Sequence, residues 1–207
     1  MTEIKIDHFK KEQTFVIIKP DGVQRSLIGE VIKRFERIGL KLVGLKMMVV
    51  DDVMARKHYT LDPDWIRKTG AKAIKGTFTD RGLPSPYKDD MEAGEQVLLW
   101  LTKYITSGPV VMMAWEGAHA VGIVRKLVGG TEPLTCDVGT IRGDFVLDSY
   151  RMADMDKRAV RNTIHASGSI EEAKQELNLW FKPEEMLNYR LIQDAILYDV
   201  NLDGILE

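Results

Sequence analysis

Cysteine is almost missing from this chain of 207 residues: the single Cys136 excludes an internal disulfide framework and a cysteine-rich metal site, and it fits a reducing compartment. An excess of one charge is missing too. The 29 basic against 31 acidic side chains leave a net charge of −2, so no general attraction to nucleic acid or anionic lipid is expected and any polyanion site must be local. No apolar run approaches the roughly 18 residues of a membrane span. The polar stretch Met1 to Lys11 has no apolar centre of the kind a secretory signal needs. Together these absences set the expectation of a cytoplasmic protein without membrane or nucleic-acid partners. Glycine-rich phosphate loops are absent as well. No G-x-x-x-x-G-K-[ST] run occurs, no G-x-G-x-x-G follows an apolar strand, and the catalytic-loop and D-F-G signatures of protein kinases are not found.

What is present alternates. Thr14 to Lys19 is a β-branched and aromatic run ended by Pro20-Asp21-Gly22, which predicts a buried strand entering a turn. Ile28, Val31, Ile32, Phe35 and Ile38 recur at helical spacing before Gly39, Leu40 to Val50 predicts a strand, and Asp52 to Tyr59 a short helix. The pattern resumes with a helix over Val97 to Tyr104, a strand over Val110 to Trp115, a helix over Ala118 to Val128 and a strand over Val160 to His165. Ser169 and Glu172 then form a capping box for a last helix. One α/β domain of alternating layers follows, spanning 1–207. Residues 61–96, rich in glycine, proline and charge, predict a loop-rich insertion, and 145–159 a shorter polar one.

Chemistry is sought in single residues at element ends. His165 lies at a predicted strand end, where a side chain can meet solvent, and an ordinary imidazole is largely neutral and nucleophilic near neutral pH. Glu176, in the second turn of the following helix, can reach back to orient one ring nitrogen, which is the general form of an activated nucleophile. Arg125, Thr131 and Arg142 could hold a diphosphate through charge-assisted bonds without a glycine-rich loop. Taken singly each arginine reads as a solvated surface charge, and only their occurrence with the Lys19 and His165 segments gives them weight. His8, His58 and His119 are scattered without metal-ligand spacing and read as surface residues, so no protein-held metal is expected.

Three segments, Ile18-Lys19-Pro20-Asp21-Gly22, Gly139-Thr140-Ile141-Arg142-Gly143-Asp144-Phe145 and Asn162-Thr163-Ile164-His165-Ala166-Ser167, together resemble the nucleoside diphosphate kinase family. The resemblance runs from about Glu12 to the C-terminal region and includes Ser107-Gly108-Pro109-Val110 and Leu179-Trp180-Phe181. It implies a ferredoxin-like βαββαβ sandwich with an antiparallel four-stranded sheet. It further implies a kinase that moves the γ-phosphate of ATP to nucleoside diphosphates by ping-pong chemistry. By matching segments, His165 would be phosphorylated and positioned by Glu176 and Ser167, while Lys19, Tyr59, Arg125, Thr131, Arg142 and Asn162 would bind nucleotide. Mg²⁺ would arrive on the nucleotide phosphates, and a homo-oligomer, hexamer or tetramer, would be the working form. The sequence departs from the family at Ala166, usually glycine, at Gly168, usually aspartate, and at Val97, where counting back from Tyr104 reaches no aromatic ring to stack on a base. The alternative reading is a nucleotide-binding regulatory or scaffold protein on the same fold with little turnover.

Overall fold

The structure, a computed structural model, describes residues 11–198. His8 and the polar N-terminal stretch, except for Lys11, lie outside the described residues. The chain begins with β1 (Glu12–Ile18), a short α1 (Pro20–Gln24), α2 (Ile28–Glu36), β2 (Lys41–Val49), α3 (Asp52–Tyr59), α4 (Trp65–Ala73) and the long α5 (Asp90–Ile105). It continues through β3 (Pro109–Gly117), α6 (Ala120–Val128), α7 (Ile141–Phe145), α8 (Tyr150–Met155), β4 (Ile164–Ala166), α9 (Ile170–Trp180) and α10 (Asp194–Leu197).

The sheet order is β2-β3-β1-β4 and every pairing is antiparallel, which is the expected ferredoxin-like arrangement. β1 lies inside the sheet, and its apolar run is what burial on both faces requires. Val16 and Ile18 point into a core with Val31 and Phe35 of α2 and Val124 and Val128 of α6. Phe15 and Ile17 point the other way, into a second core with Ala55 of α3, Ile105 of α5 and Leu177 and Trp180 of α9. The period-2 alternation of the strand therefore decides which side chains reach which layer. It also places the candidate histidine.

Several expectations change. The segment 61–96 is largely helical: α4 and the start of α5 lie in it, joined through a wide turn at Ile74–Phe78. Two of the glycines that suggested a loop let these helices touch. A Cβ on Gly70 would lie 1.8 Å from the Asp90 carbonyl oxygen, and one on Gly94 would lie 2.0 Å from that of Ile66. Pro20-Asp21-Gly22 opens α1 instead of forming a turn, with Pro20 in the first helical turn, where its missing N–H has no cost. The strand expected over 160–165 is shorter and later. Thr163 has φ +64°, and Ile164 N–H donates back to Asn162 O at 2.6 Å, so a tight three-residue turn replaces the first part of the ladder. Ser169 does cap α9, accepting from Glu172 N–H, but Glu172 returns its carboxylate to Gly168 N–H (2.7 Å), one residue before the position a capping box uses.

Segment 145–159 carries α8 and is pinned at its base. Buried Asp148 accepts from both terminal nitrogens of Arg158 (2.7 and 3.1 Å), from Arg161 N–H (2.7 Å) and from Ser149 N–H (2.9 Å). That carboxylate is held below its ordinary range: burial works against ionisation, but the Arg158 guanidinium and two backbone amides outweigh it.

Candidate active site

In β4, Ile164 enters the first core, so the alternation turns His165 to the opposite face, beside Ile17 in the β1 register. There it meets Phe15 (ring centroids 6.2 Å apart) and the edge-on ring of His58 (4.8 Å, 87°). His165 Nε2 lies 2.6 Å from Glu176 Oε1, and the Ser167 hydroxyl donates to Glu176 Oε2 at 2.6 Å. Ser167 Oγ also accepts from Phe15 N–H, which ties the carboxylate to the edge of β1.

Glu176 is 2% exposed because Ala173, Glu176, Leu177 and Trp180 make one buried stripe along α9. Burial alone would push its carboxyl up, but the adjacent His165, with lesser help from His58 and the Ser167 hydroxyl, holds it below the usual carboxylate range. An ionised Glu176 can only accept. The hydrogen bond therefore fixes the His165 proton on Nε2 and leaves the lone pair on Nδ1.

His58 corrects the sequence reading. It is buried on α3, not on the surface, with Nδ1 accepting from Trp180 Nε1–H (3.3 Å) and lying 3.6 Å from Glu176 Oε1. Burial, reinforced by His165, lowers its pKa to about 3, so its ring is neutral. Helical spacing could have found it, since Ala55 and His58 lie on the same buried face of α3. Tyr59 follows directly. Its phenolic oxygen is buried without a hydrogen-bond partner, and burial with the charge of Glu176 raises its pKa.

Cations gather at the N-terminal end of β4. Lys19, buried at the end of β1, donates to Asn162 Oδ1 at 2.7 Å, and its ammonium lies 5.1 Å from the centre of the Tyr104 ring. Burial and the neighbouring Arg142 lower its pKa to about 7, against a partial pull upward from Asp21. The Thr163 turn that presents Asn162 is braced by Asp21, which accepts from the Thr163 and Tyr104 hydroxyls. A β-branched residue at positive φ is strained, so such bracing is needed.

Arg142 reaches the site because of its own loop. Thr140 caps α7, Asp144 ties back to Gly139 N–H and Arg34, and Gly143 has no room for a side chain, with the Asp137 carbonyl oxygen 2.1 Å from where a Cβ would sit. The guanidinium is turned inward, donating to the carbonyls of Gly129, Gly130, Asn162 and Ile164. Burial lowers its pKa to about 10. Arg125 is exposed on α6, and its Nη1 would lie 3.6 Å from a Cβ on Gly168. The backbone carbonyl of exposed Thr131 accepts from Asn162 Nδ2 at 3.1 Å. Contacts thus link Lys19, Arg142, Asn162 and Thr131, with Arg125 beside the loop that follows His165. Val97 is half-buried in α5 and offers no ring.

His58, His165 and Glu176 are the described group whose donor atoms could hold a metal, all within 4.8 Å of one another. Each of those atoms already takes part in a hydrogen bond, which makes the group a proton-orienting network. Of the carboxylates near Lys19 and His165, Glu176 is taken by His165 and Ser167, and Asp21 by Tyr104 and Thr163.

The sequence profile described as nucleoside diphosphate kinase matches residues 12–66 and 86–186. A nucleoside diphosphate kinase of Pyrobaculum aerophilum is 43% identical over 180 residues, covering 85% of this chain and 98% of the relative. The crystal structure of an NDP kinase from Pyrobaculum aerophilum superposes with a TM-score of 0.82 at 41% identity, covering 86% of this chain and all of the other. A second structure, a transition-state mimic of the nucleoside-diphosphate kinase of Borrelia burgdorferi with bound vanadate and ADP, gives a TM-score of 0.73 at 37% identity over 90% of this chain and 96% of its own.

Proposed function

The chain belongs to the nucleoside diphosphate kinase family, and from that premise we propose that His165 Nδ1 carries a phosphoryl group from ATP to nucleoside diphosphates. The enzyme is a phosphotransferase. The observation that carries the residue assignment is the short contact between His165 Nε2 and the ionised Glu176, which leaves Nδ1 as the free lone pair.

In the first half-reaction the Nδ1 lone pair forms a bond to the γ-phosphorus, the bond from that phosphorus to the β,γ-bridging oxygen breaks, and ADP departs with the electron pair. The imidazole becomes cationic, and Glu176 stabilises it through the Nε2–H bond. In the second half a terminal oxygen of an incoming diphosphate attacks phosphorus, the N–P bond breaks, and the imidazole returns neutral. His58 takes no proton in this cycle because it is neutral and its Nδ1 accepts from Trp180. The unpartnered Tyr59 hydroxyl is a donor ready for an oxygen of the transferring group.

Lys19, Arg142, Asn162, Arg125 and Thr131 hold the phosphates and sugar in this reading. Arg142 acts with its charge and its remaining N–H, since four N–H directions already meet carbonyls. Positioning and charge stabilisation then supply most of the catalysis, as phosphoryl transfer allows. A cationic pocket whose Asp21 and Glu176 carboxylates are already engaged fits Mg²⁺ that arrives on the nucleotide. That ion, when bound, neutralises phosphate charge. A cytoplasmic setting goes with this reading, because ATP and the diphosphates it recharges meet there.

Self-association is part of the proposal. Edge strand β2 leaves Leu45, Met47 and Val49 exposed at 51%, 58% and 64%, an apolar row that a lone chain has no use for. A homo-oligomer, hexamer or tetramer, would cover it.

The direct test exposes the protein to γ-labelled ATP with Mg²⁺ and chases with unlabelled GDP. Acid-labile label on the wild type, absent from His165→Ala and moving to GTP on the chase, is the expected result. An unlabelled wild type that still binds nucleotide overturns the assignment in favour of a binding protein without turnover.

A further inference from the structure

Thr163 is tied down at three of its groups. Lys19 N–H donates to its carbonyl at 2.8 Å, its hydroxyl donates to Asp21 Oδ2 at 2.8 Å, and its own N–H donates to the Tyr104 hydroxyl at 3.3 Å. The Tyr104 hydroxyl in turn donates to Asp21 Oδ1, so the phenol, the carboxylate and the threonine close a ring of hydrogen bonds around one strained residue. Burial and Asp21 push the phenol pKa up, so it keeps the proton it donates. Helix α1 presses on the same residue, since a Cβ on Gly22 would lie 2.8 Å from Thr163 Cγ2.

The turn decides the face on which Asn162 acts. In an unbroken strand Asn162 would share the side of Ile164, which enters the first core, whereas Lys19 follows Ile17 to the opposite face, that of His165. Thr163 breaks the alternation with its φ of +64°, and Asn162 Oδ1 meets Lys19 Nζ at 2.7 Å while Asn162 O accepts from Arg142. A β-branched residue relaxes from positive φ unless it is held. Relaxation toward extended backbone withdraws the amide from Lys19.

We propose that Tyr104 is a positioning residue for the nucleotide: from the last turn of α5 its hydroxyl, together with Asp21, holds the Thr163 turn that keeps the Asn162 amide against Lys19. The inference rests on the reading of Lys19 and Asn162 as nucleotide ligands. Tyr104 acts through the turn and needs no contact with the substrate.

The experiment measures ADP binding by calorimetry, which needs no turnover, for wild type, Tyr104→Phe, Asn162→Ala and the double variant. Phenylalanine keeps the ring beside Lys19 and deletes only the hydroxyl. Tyr104→Phe is expected to weaken ADP by about 3- to 10-fold, the range set by one hydrogen bond. The double variant is expected to be no more than about twofold weaker than Asn162→Ala alone, because the phenol works through the amide that is already gone. A second pair checks the turn from its other side: Thr163→Val, which loses the Asp21 bond, is expected to weaken ADP by a similar factor, and Thr163→Ser, which keeps the hydroxyl, to bind within about twofold of wild type. If Tyr104→Phe lowers the melting temperature but leaves ADP affinity intact, the phenol only holds the fold and the positioning role is overturned. Losses that add in full with Asn162→Ala, or a Thr163→Ser variant as weak as Thr163→Val, overturn it as well and leave the Asn162 reading standing. If Asn162→Ala itself binds ADP as wild type does, both fail, while labelling of His165 stands or falls separately.

Discussion

Around His165 the polar atoms close on one another: Glu176 takes the imidazole with one oxygen and Ser167 with the other, and Trp180 takes His58. At the N-terminal end of β4, Lys19 and Arg142 are buried as neighbouring cations whose donors meet an amide oxygen and backbone carbonyls, dipoles in place of counter-charges. The pKa directions record the difference. Glu176 keeps its charge in spite of burial because the His165 imidazole, with lesser help from His58 and the Ser167 hydroxyl, favours the carboxylate, whereas Lys19 is lowered to about 7 because nothing of opposite sign fully compensates it. A nucleophile has to be finished before the substrate arrives. A phosphate subsite works by being unfinished, since the charge it lacks is the charge the ligand brings.

The strongest way to break this comparison is Glu176→Gln. The amide can donate as well as accept, so it no longer forces the His165 proton onto Nε2, and kcat should fall by about 10²- to 10⁴-fold. ADP affinity, set at the other end, should move by less than about twofold. Equal losses in kcat and ADP binding, read from steady-state kinetics and calorimetry, would mean that the two ends are one unit. Lys19→Met tests the unfinished end. Losing a charged donor should weaken ADP by about 10- to 100-fold. The melting temperature should rise, because a poorly compensated buried ammonium has left. A fall in melting temperature would assign Lys19 to holding the fold.

How much of this was legible depended on whether the signal was local. β1, α2 and β2 followed from strand and helix periods, and Lys19, Arg142, Asn162 and His165 from segments that are continuous in sequence. Glu176 was found, but its burial was not, although Ala173, Leu177 and Trp180 share its face of α9. His58 was missed because a polar residue on a short helix was read as exposed, when its partners, Trp180 and Glu176, come from more than a hundred residues away. The segment 61–96 was misread through its glycines, since Gly70 and Gly94 mark the contact of two helices as readily as a loop. Gly94→Ala is accordingly expected to lower stability by about 1–3 kcal/mol in denaturant unfolding, with phosphotransfer by the remaining folded enzyme unchanged. Unaltered stability would return that segment to the surface loop the composition suggested.

The finest distinction between the two ends is a proton count. In the free enzyme Lys19 titrates near 7, well below its ordinary 10.5. A diphosphate beside it favours the ammonium, so the bound pKa must be higher than the free one. Below about pH 7 the ammonium is present before and after binding and no proton is taken up; above that, and until the bound value is passed, ADP binding draws in up to about one proton and weakens with rising pH by at most about tenfold per unit. His58 and Glu176 add little to this count near neutral pH, because His58 stays neutral with its pKa near 3 and Glu176 stays ionised. Glu176 acts in the opposite pH range: its folded pKa is depressed, so its contribution to stability is complete above its ordinary value of 4.5 and is lost as pH falls through the folded value. Calorimetric titration with ADP at about pH 8 in two buffers of different ionisation enthalpy measures the uptake directly. A fractional proton that disappears in Lys19→Met locates the unfinished charge at Lys19, and an uptake that persists in that variant locates it elsewhere.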